Sequence, residues 1–183
     1  FLQERIFEPL DMVDTGFYVP PDKAHRVAAL HSPNADGQLA STSTGRGAFR
    51  TTPPVGPSGG GGLYGTAPDS IRVAQMVLND GELNGVRILS PNSVTLMTVN
   101  QLGDVEFRPG EGFGLGFSVV TDLAARGIPG SVGEFGWAGA YHSTYWVDPE
   151  EELVAVYLTQ LIPAIDIDDQ NEFRELLYQA IVE

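Results

Sequence analysis

Residues Gly112-Phe-Gly-Leu-Gly-Phe-Ser-Val-Val-Thr121 alternate glycine with bulky side chains. A period of two puts every second residue on one strand face, and a glycine face implies that something packs closely against it. This segment demands a sheet, and the chain after it keeps supplying strands. Residues 133–138, 144–148 and 153–160 read as three more, and Asp148-Pro-Glu-Glu-Glu152 is the turn that makes the last two a hairpin. Residues 169–182 close the chain as an amphipathic helix, with Phe173, Leu176, Leu177, Ala180 and Ile181 on one face. The expected class is α+β, with antiparallel strands and a packed C-terminal helix.

The earlier part of the chain is less regular. Residues 1–7, with Leu2 and Ile6 four apart, read as the tail of a helix stopped by Pro9. A chain entering in mid-helix is expected to be the C-terminal segment of a larger domain, so residues 1–183 are read as one partial domain. Residues 11–23 read as an irregular loop broken by Gly16, Pro20 and Pro21, followed by extended pieces at 26–31 and 37–41. Residues 42–62, mostly Ser, Thr, Pro and Gly, form a long surface loop. A helix follows Pro68-Asp-Ser70, capped by Asp69 or Ser70, with Ile71, Ala74, Met76, Val77 and Leu78 apolar and Gly81 as its left-handed stop. Residues 85–89 are extended, and Ser90-Pro91 begins a second helix carrying Val94, Leu96 and Met97.

Composition removes several function classes. The 183 residues are 42% hydrophobic and 9% aromatic, enough for a real core. Twenty-four Asp and Glu against 10 Lys and Arg give a net charge of −14, which repels nucleic acid and anionic membrane surfaces. There is no cysteine, hence no disulfide, thiolate metal site or cysteine nucleophile. No apolar run approaches the roughly 18 residues of a membrane span, and the N-terminus has no signal-peptide pattern. The expectation is a soluble protein, of a bacterial cytoplasm or periplasm given the resemblance below. His25, His31 and His142 have no ligand partners at metal spacing, so no metal or cofactor is expected.

Three local motifs deserve weighing. Gly56-Pro-Ser58-Gly-Gly60 matches a nucleophile elbow in letters but has no strand before it. Gly60-Gly-Gly-Leu-Tyr-Gly65 matches a dinucleotide fingerprint but reads better as a glycine hinge, since Asp69 would repel a pyrophosphate at the helix start. The strongest segment is Gly136-Trp-Ala-Gly-Ala-Tyr141 followed by His142. Small residues beside a tryptophan let a substrate carbonyl approach backbone N–H groups, as an oxyanion site requires. The structural alternative is a packed strand with Trp137 in the core.

In this order, Phe7-Glu-Pro-Leu-Asp-Met-Val-Asp-Thr-Gly-Phe17, Gly59-Gly-Gly-Gly-Leu-Tyr-Gly-Thr-Ala-Pro-Asp69, Asn84-Gly-Val-Arg-Ile-Leu-Ser-Pro91, Gly112-Phe-Gly-Leu-Gly-Phe117, Gly136-Trp-Ala-Gly-Ala-Tyr141 and Trp146-Val-Asp-Pro149 carry a resemblance. The chain resembles the class C β-lactamase and penicillin-binding-protein-like serine hydrolases, in their esterase-like branch, over nearly its whole length. Relatives of this type usually have glycine where Asp11 and His142 stand here. The resemblance implies the C-terminal part of a β-lactamase/transpeptidase-like fold. It also implies acyl transfer on an ester, amide or β-lactam through a serine nucleophile.

By the same resemblance Trp137, Ala138 and Gly139 occupy the triplet that such enzymes place on a sheet strand. Ala140 offers one oxyanion N–H, and Tyr141 and His142 complete the wall. The other two elements of the family, Ser-x-x-Lys and Tyr-x-Asn, are absent: the single lysine, Lys23, follows Pro20, and no tyrosine has asparagine two residues on. No catalytic nucleophile or base is therefore assigned to this chain, which is expected to be inert alone. The expected partners are a small acyl substrate, once the site is completed, and the missing N-terminal portion or a second copy, covering an unpaired edge or apolar patch. The rival expectation is a catalytically dead module of the same fold that binds a ligand or protein.

Overall fold

The glycine-alternating segment makes two strands. In the computed structural model, which describes residues 1–42, 48–56 and 58–182, β5 (Glu111–Phe113) and β6 (Ser118–Val120) pair as a hairpin turning through Gly116 at φ 104°. A single strand was expected there. The positive φ at Gly116 reverses the chain instead. The close-approach argument holds nonetheless. A methyl at Gly112 would collide with the Asn100 side chain, and one at Gly114 with the Met97 carbonyl.

β7 (Phe135–Gly139), β8 (Ser143–Asp148) and β9 (Leu153–Tyr157) complete an antiparallel sheet ordered β5-β6-β7-β8-β9. The β8–β9 turn falls where the acidic run predicts it. Asp148 accepts from the backbone N–H groups of Glu150 and Glu151 at 3.2 and 3.4 Å. Two small hairpins stand apart from this sheet, β1 (Leu30–Pro33) with β2 (Leu39–Thr42), and β3 (Glu82–Leu83) with β4 (Val86–Arg87).

Helices cover both faces of the sheet. α1 (Ala67–Leu78) lies across β8 and β9. Its cap is Thr66, whose hydroxyl accepts from the Asp69 N–H, and not Asp69 or Ser70 as expected. Asp69 is instead buried, taking hydrogen bonds from the Asp14 N–H at 2.9 Å and the Thr15 hydroxyl at 2.7 Å. Gly81, at φ 92°, does end the turn after α1, with the Leu89 carbonyl packed where a side chain would go. Ser90 caps α2 (Pro91–Met97) as the sequence predicts. Ala74, Met76 and Val77 of α1 join Val94, Val119, Phe135 and Val147 with Phe7, Leu10 and Met12 in one core. The N-terminal residues Gln3–Phe7 form a π-helical turn, and Pro21–Arg26 is a 3₁₀ turn where loop and extended chain were expected.

Beyond the short α3 (Leu123–Arg126), the opposite face holds α4 (Asp169–Gln179), and here the amphipathic reading needs correction. Leu176 is 66% exposed and Ile181 is exposed as well, while Arg174 is the buried residue of the helix. Phe173 packs edge-on to Trp146 at 5.8 Å and stacks on Tyr157 at 5.2 Å. Arg174 lies 4.0 Å over the Trp146 ring and reaches the buried Glu134. The aliphatic stem of an arginine can cover an aromatic ring while its head satisfies a carboxylate, which periodicity counts as polar. Among the described residues, β9 has a partner strand on one side only within the sheet.

Candidate active site

The β7–β8 hairpin is built for a tight turn. Ala140, Tyr141 and His142 connect the strands, His142 donates its N–H to the Gly139 carbonyl at 3.2 Å, and His142 takes φ 61°. Three-residue hairpin loops need one residue in that left-handed region, where glycine is the usual choice. Asp11, at φ 54°, is the same case. Both positions where glycine was expected are thus left-handed, and each is filled by a residue type that tolerates the conformation.

Pairing along β7 is asymmetric. β6 pairs with it only at Phe135 and Gly136, whereas β8 pairs from Phe135 through Gly139. Among the described residues, Trp137, Ala138 and Gly139 therefore have a strand neighbour on one side and an open backbone edge on the other. Gly136 permits the tight approach of β8, because a methyl there would strike the Tyr145 carbonyl.

Trp137 is 39% exposed, so it is not the core residue of the structural alternative; Trp146, at 2%, is. Its ring packs edge-on to Phe113 at 5.2 Å and stacks with Phe107 at 6.5 Å. Arg108 lies 4.8 Å over Phe107 and 5.4 Å over Trp137. Neither Phe107 nor Arg108 was singled out from sequence, since both lie in irregular chain remote from the strand motif. Across the ladder from Trp137 stands Tyr145, whose phenol is pushed up to about 12 by burial. It is a neutral hydroxyl at physiological pH and no general base.

The turn is tied to α4. His142 Nε2 lies 2.6 Å from Asp169 Oδ1, and the Tyr157 hydroxyl donates to Asp169 Oδ2 at 2.8 Å. Burial acts to raise the Asp169 carboxyl, but the hydrogen bonds from His142 and Tyr157 outweigh it and hold the group below its ordinary range. The Tyr157 phenol is raised, first by its bond to Asp169. The His142 carbonyl also accepts from Thr159 Oγ1 and, at 3.1 Å, from Gln170 Nε2. His142 has an orienting acid, supplied from 27 residues downstream, where no sequence motif signals it. Among the described residues, no serine hydroxyl is a hydrogen-bond partner of its ring.

Other sequence candidates sit elsewhere. Lys23 donates to Asp14 Oδ1 at 2.7 Å and to the Val13 carbonyl at 2.9 Å, and Arg26 grips both oxygens of the same carboxylate. These partners, with Arg26 foremost, hold the Asp14 carboxyl far below the usual range. Lys23 is an ion-pair residue here. In the Gly56–Gly60 motif, Pro57 lies outside the described residues, and so does part of the 42–62 loop; Ser58 is exposed in irregular chain. Among the described residues no helix is long and apolar enough to cross a membrane.

A family model described as Beta-lactamase matches residues 1–179. Protein Rv1367c of Mycobacterium tuberculosis is 40% identical over 179 residues, covering 91% of this chain and 44% of its own length. Esterase EstB of Burkholderia gladioli is 31% identical over 155 residues, covering 83% of this chain and 34% of its own. Simvastatin synthase (LovD) from Aspergillus terreus, as its LovD6 mutant, superposes with a TM-score of 0.79 at 23% identity over 97% of this chain and 48% of that one, a likeness of fold. The chain thus spans half or less of the length of these relatives.

Proposed function

Since this chain belongs to the beta-lactamase family, we propose that it supplies one wall of the acyl-transfer site of a serine hydrolase in the esterase-like branch, the nucleophile and its base coming from polypeptide outside these 183 residues. The observation that carries this reading is the half-paired strand: Trp137–Gly139 offers an open backbone edge, next to a small-residue turn and an aromatic surface. An incoming acyl group can lie along such an edge as an added strand, with its carbonyl at the Ala140 N–H. Trp137 at the first triplet position, where a lysine would supply a charge, favours ester-like substrates. Residues 1–183 then form one partial domain. The outer edge of β9, and separately the exposed Leu176 and Val182, are surfaces the remainder of the protein or a second copy would cover.

Two measurements test this. The 183-residue chain should neither hydrolyse p-nitrophenyl butyrate nor take up a fluorophosphonate probe, and Ser58→Ala should change nothing; labelling at Ser58 would overturn the proposal. Supplying in trans the polypeptide encoded immediately upstream, if it carries Ser-x-x-Lys and Tyr-x-Asn, should restore turnover. Ala140→Pro, which deletes one N–H, should cut that turnover by about 10²–10³-fold with an unchanged melting temperature. Full turnover in the folded Ala140→Pro protein would rule out the assigned oxyanion donor.

A further inference from the structure

Arg108 is held where it can read a charge beside the open strand edge. Its guanidinium lies over both Phe107 and Trp137, so two rings fix the plane of a side chain that is 54% exposed. Its carboxylate neighbour is Glu111, at 3.6 Å between Arg108 Nη1 and Glu111 Oε2. That oxygen accepts no hydrogen bond among the described residues, so the contact is an ion pair without the fork geometry that arginine can offer.

Local charge points the same way. The cleft that includes Trp137 is lined by Arg108, Arg126 and Arg174 against Glu111 and Glu134. Arg126 donates to both glutamates, at 3.2 and 2.9 Å, and Arg174 donates to both oxygens of Glu134. These four groups neutralise one another, which leaves Arg108 as the surplus positive charge in a chain of net charge −14. A fixed cation with an exposed fork, set against three aromatic rings, matches a ligand that is apolar at one end and anionic at the other.

We propose that the site selects acyl compounds bearing a carboxylate beside an aromatic or aliphatic group. The apolar part rests on Phe107, Phe113 and Trp137, and Arg108 takes the carboxylate. This rests on the reading of Trp137–Ala140 as a substrate-facing wall and adds the chemistry of what that wall receives.

Calorimetric titration of the chain with 3-phenylpropionate and with 3-phenylpropanamide, which share a shape and differ in charge, tests it. The acid should bind about tenfold more tightly than the amide, as one exposed charge-assisted contact provides. High salt should shrink that preference. Arg108→Gln should bring the two ligands to parity while leaving the amide unaffected, and Trp137→Ala should weaken both. Equal binding of acid and amide by the wild-type chain, or a preference that survives Arg108→Gln, overturns the role of Arg108 and leaves the wall intact. Failure of both ligands to bind, or binding of both that is indifferent to Trp137→Ala, overturns the seat assigned to Phe107, Phe113 and Trp137, whereas the wall itself stands or falls with the Ala140→Pro test.

Discussion

Replacing Arg174 by methionine isolates the interaction that fastens α4 to the sheet. Methionine keeps an unbranched stem over Trp146 but removes the guanidinium, which donates to Glu134 Oε2 at 2.7 Å, to Glu134 Oε1 at 2.9 Å and to the Pro129 carbonyl at 3.0 Å. Glu134 is only 2% exposed, so it is left as a buried carboxylate with less compensation. Removing one partner of a buried pair costs about 3–5 kcal/mol. Glu134 retains Arg126 at 2.9 Å and the Tyr178 hydroxyl at 3.0 Å, which puts the expected cost at the lower end, about 3 kcal/mol.

For a chain of this size that corresponds to a fall of about 6–12 °C in melting temperature. Urea denaturation followed by far-UV circular dichroism reads the same loss as a lower midpoint at unchanged slope. Leu176→Ala serves as the internal comparison and should cost under about 0.5 kcal/mol, because its side chain is largely in water. Adding Glu134→Gln to Arg174→Met should recover part of the loss, since the buried carboxylate left short of partners goes with it. The reasoning is refuted if Arg174→Met costs less than about 1 kcal/mol, or if Leu176→Ala proves the more damaging change.

Three further outcomes follow from the site. Gly136→Ala should destabilise the sheet by roughly 1–3 kcal/mol in the same assay, through the collision of its methyl with the Tyr145 carbonyl; a neutral result would mean that β8 can retreat. His142→Gly should leave the turn geometry intact yet raise the depressed Asp169 carboxyl towards its ordinary value, visible in a carbon-13 side-chain titration. Because the folded value is lowered, this pair stabilises above the unfolded carboxylate range near 3.9 and the contribution fades as pH falls through the folded value; an Asp169 titration unchanged by the substitution would count against the pair. Tyr145, raised by burial to about 12, stabilises the fold fully below pH 10 and loses that contribution as pH climbs through 12. Tyr157 and Tyr178 are raised as well, so absorbance titration at alkaline pH should show several late tyrosines, one fewer in Tyr145→Phe; an unchanged late fraction in that variant would contradict the burial of Tyr145.

Features that depend on neighbours a few residues apart were legible from sequence. The acidic turn at Asp148–Glu152, the Ser90 cap and the Gly81 stop are all local geometry, and residues two to four apart decide them. The strand character of 133–138 and 153–160 follows from the same short-range pattern, although the second strand ends at Tyr157. What the order of amino acids left open was which distant groups meet. Thr66 displaced Asp69 as the cap because Asp69 was drawn to Asp14 and Thr15, more than fifty residues away. Arg174 displaced Leu176 on the buried face of α4 because Glu134 waited beneath it.

The candidate site divides along the same line. Its strand and turn were readable as Gly136-Trp-Ala-Gly-Ala-Tyr141, since small residues, a bulky ring and a left-handed turn position are all written into consecutive residues. That the strand keeps one bare edge was settled only when β6 stopped pairing at Gly136 while β8 continued to Gly139. That Phe107, Arg108 and Phe113 gather at Trp137, and that Asp169 and Tyr157 hold His142, were likewise settled by packing. Backbone preferences act over one turn or one pleat and so survive in a linear reading. Side-chain partnerships are selected by burial and charge compensation across a sheet, and these exist only once the chain has closed on itself.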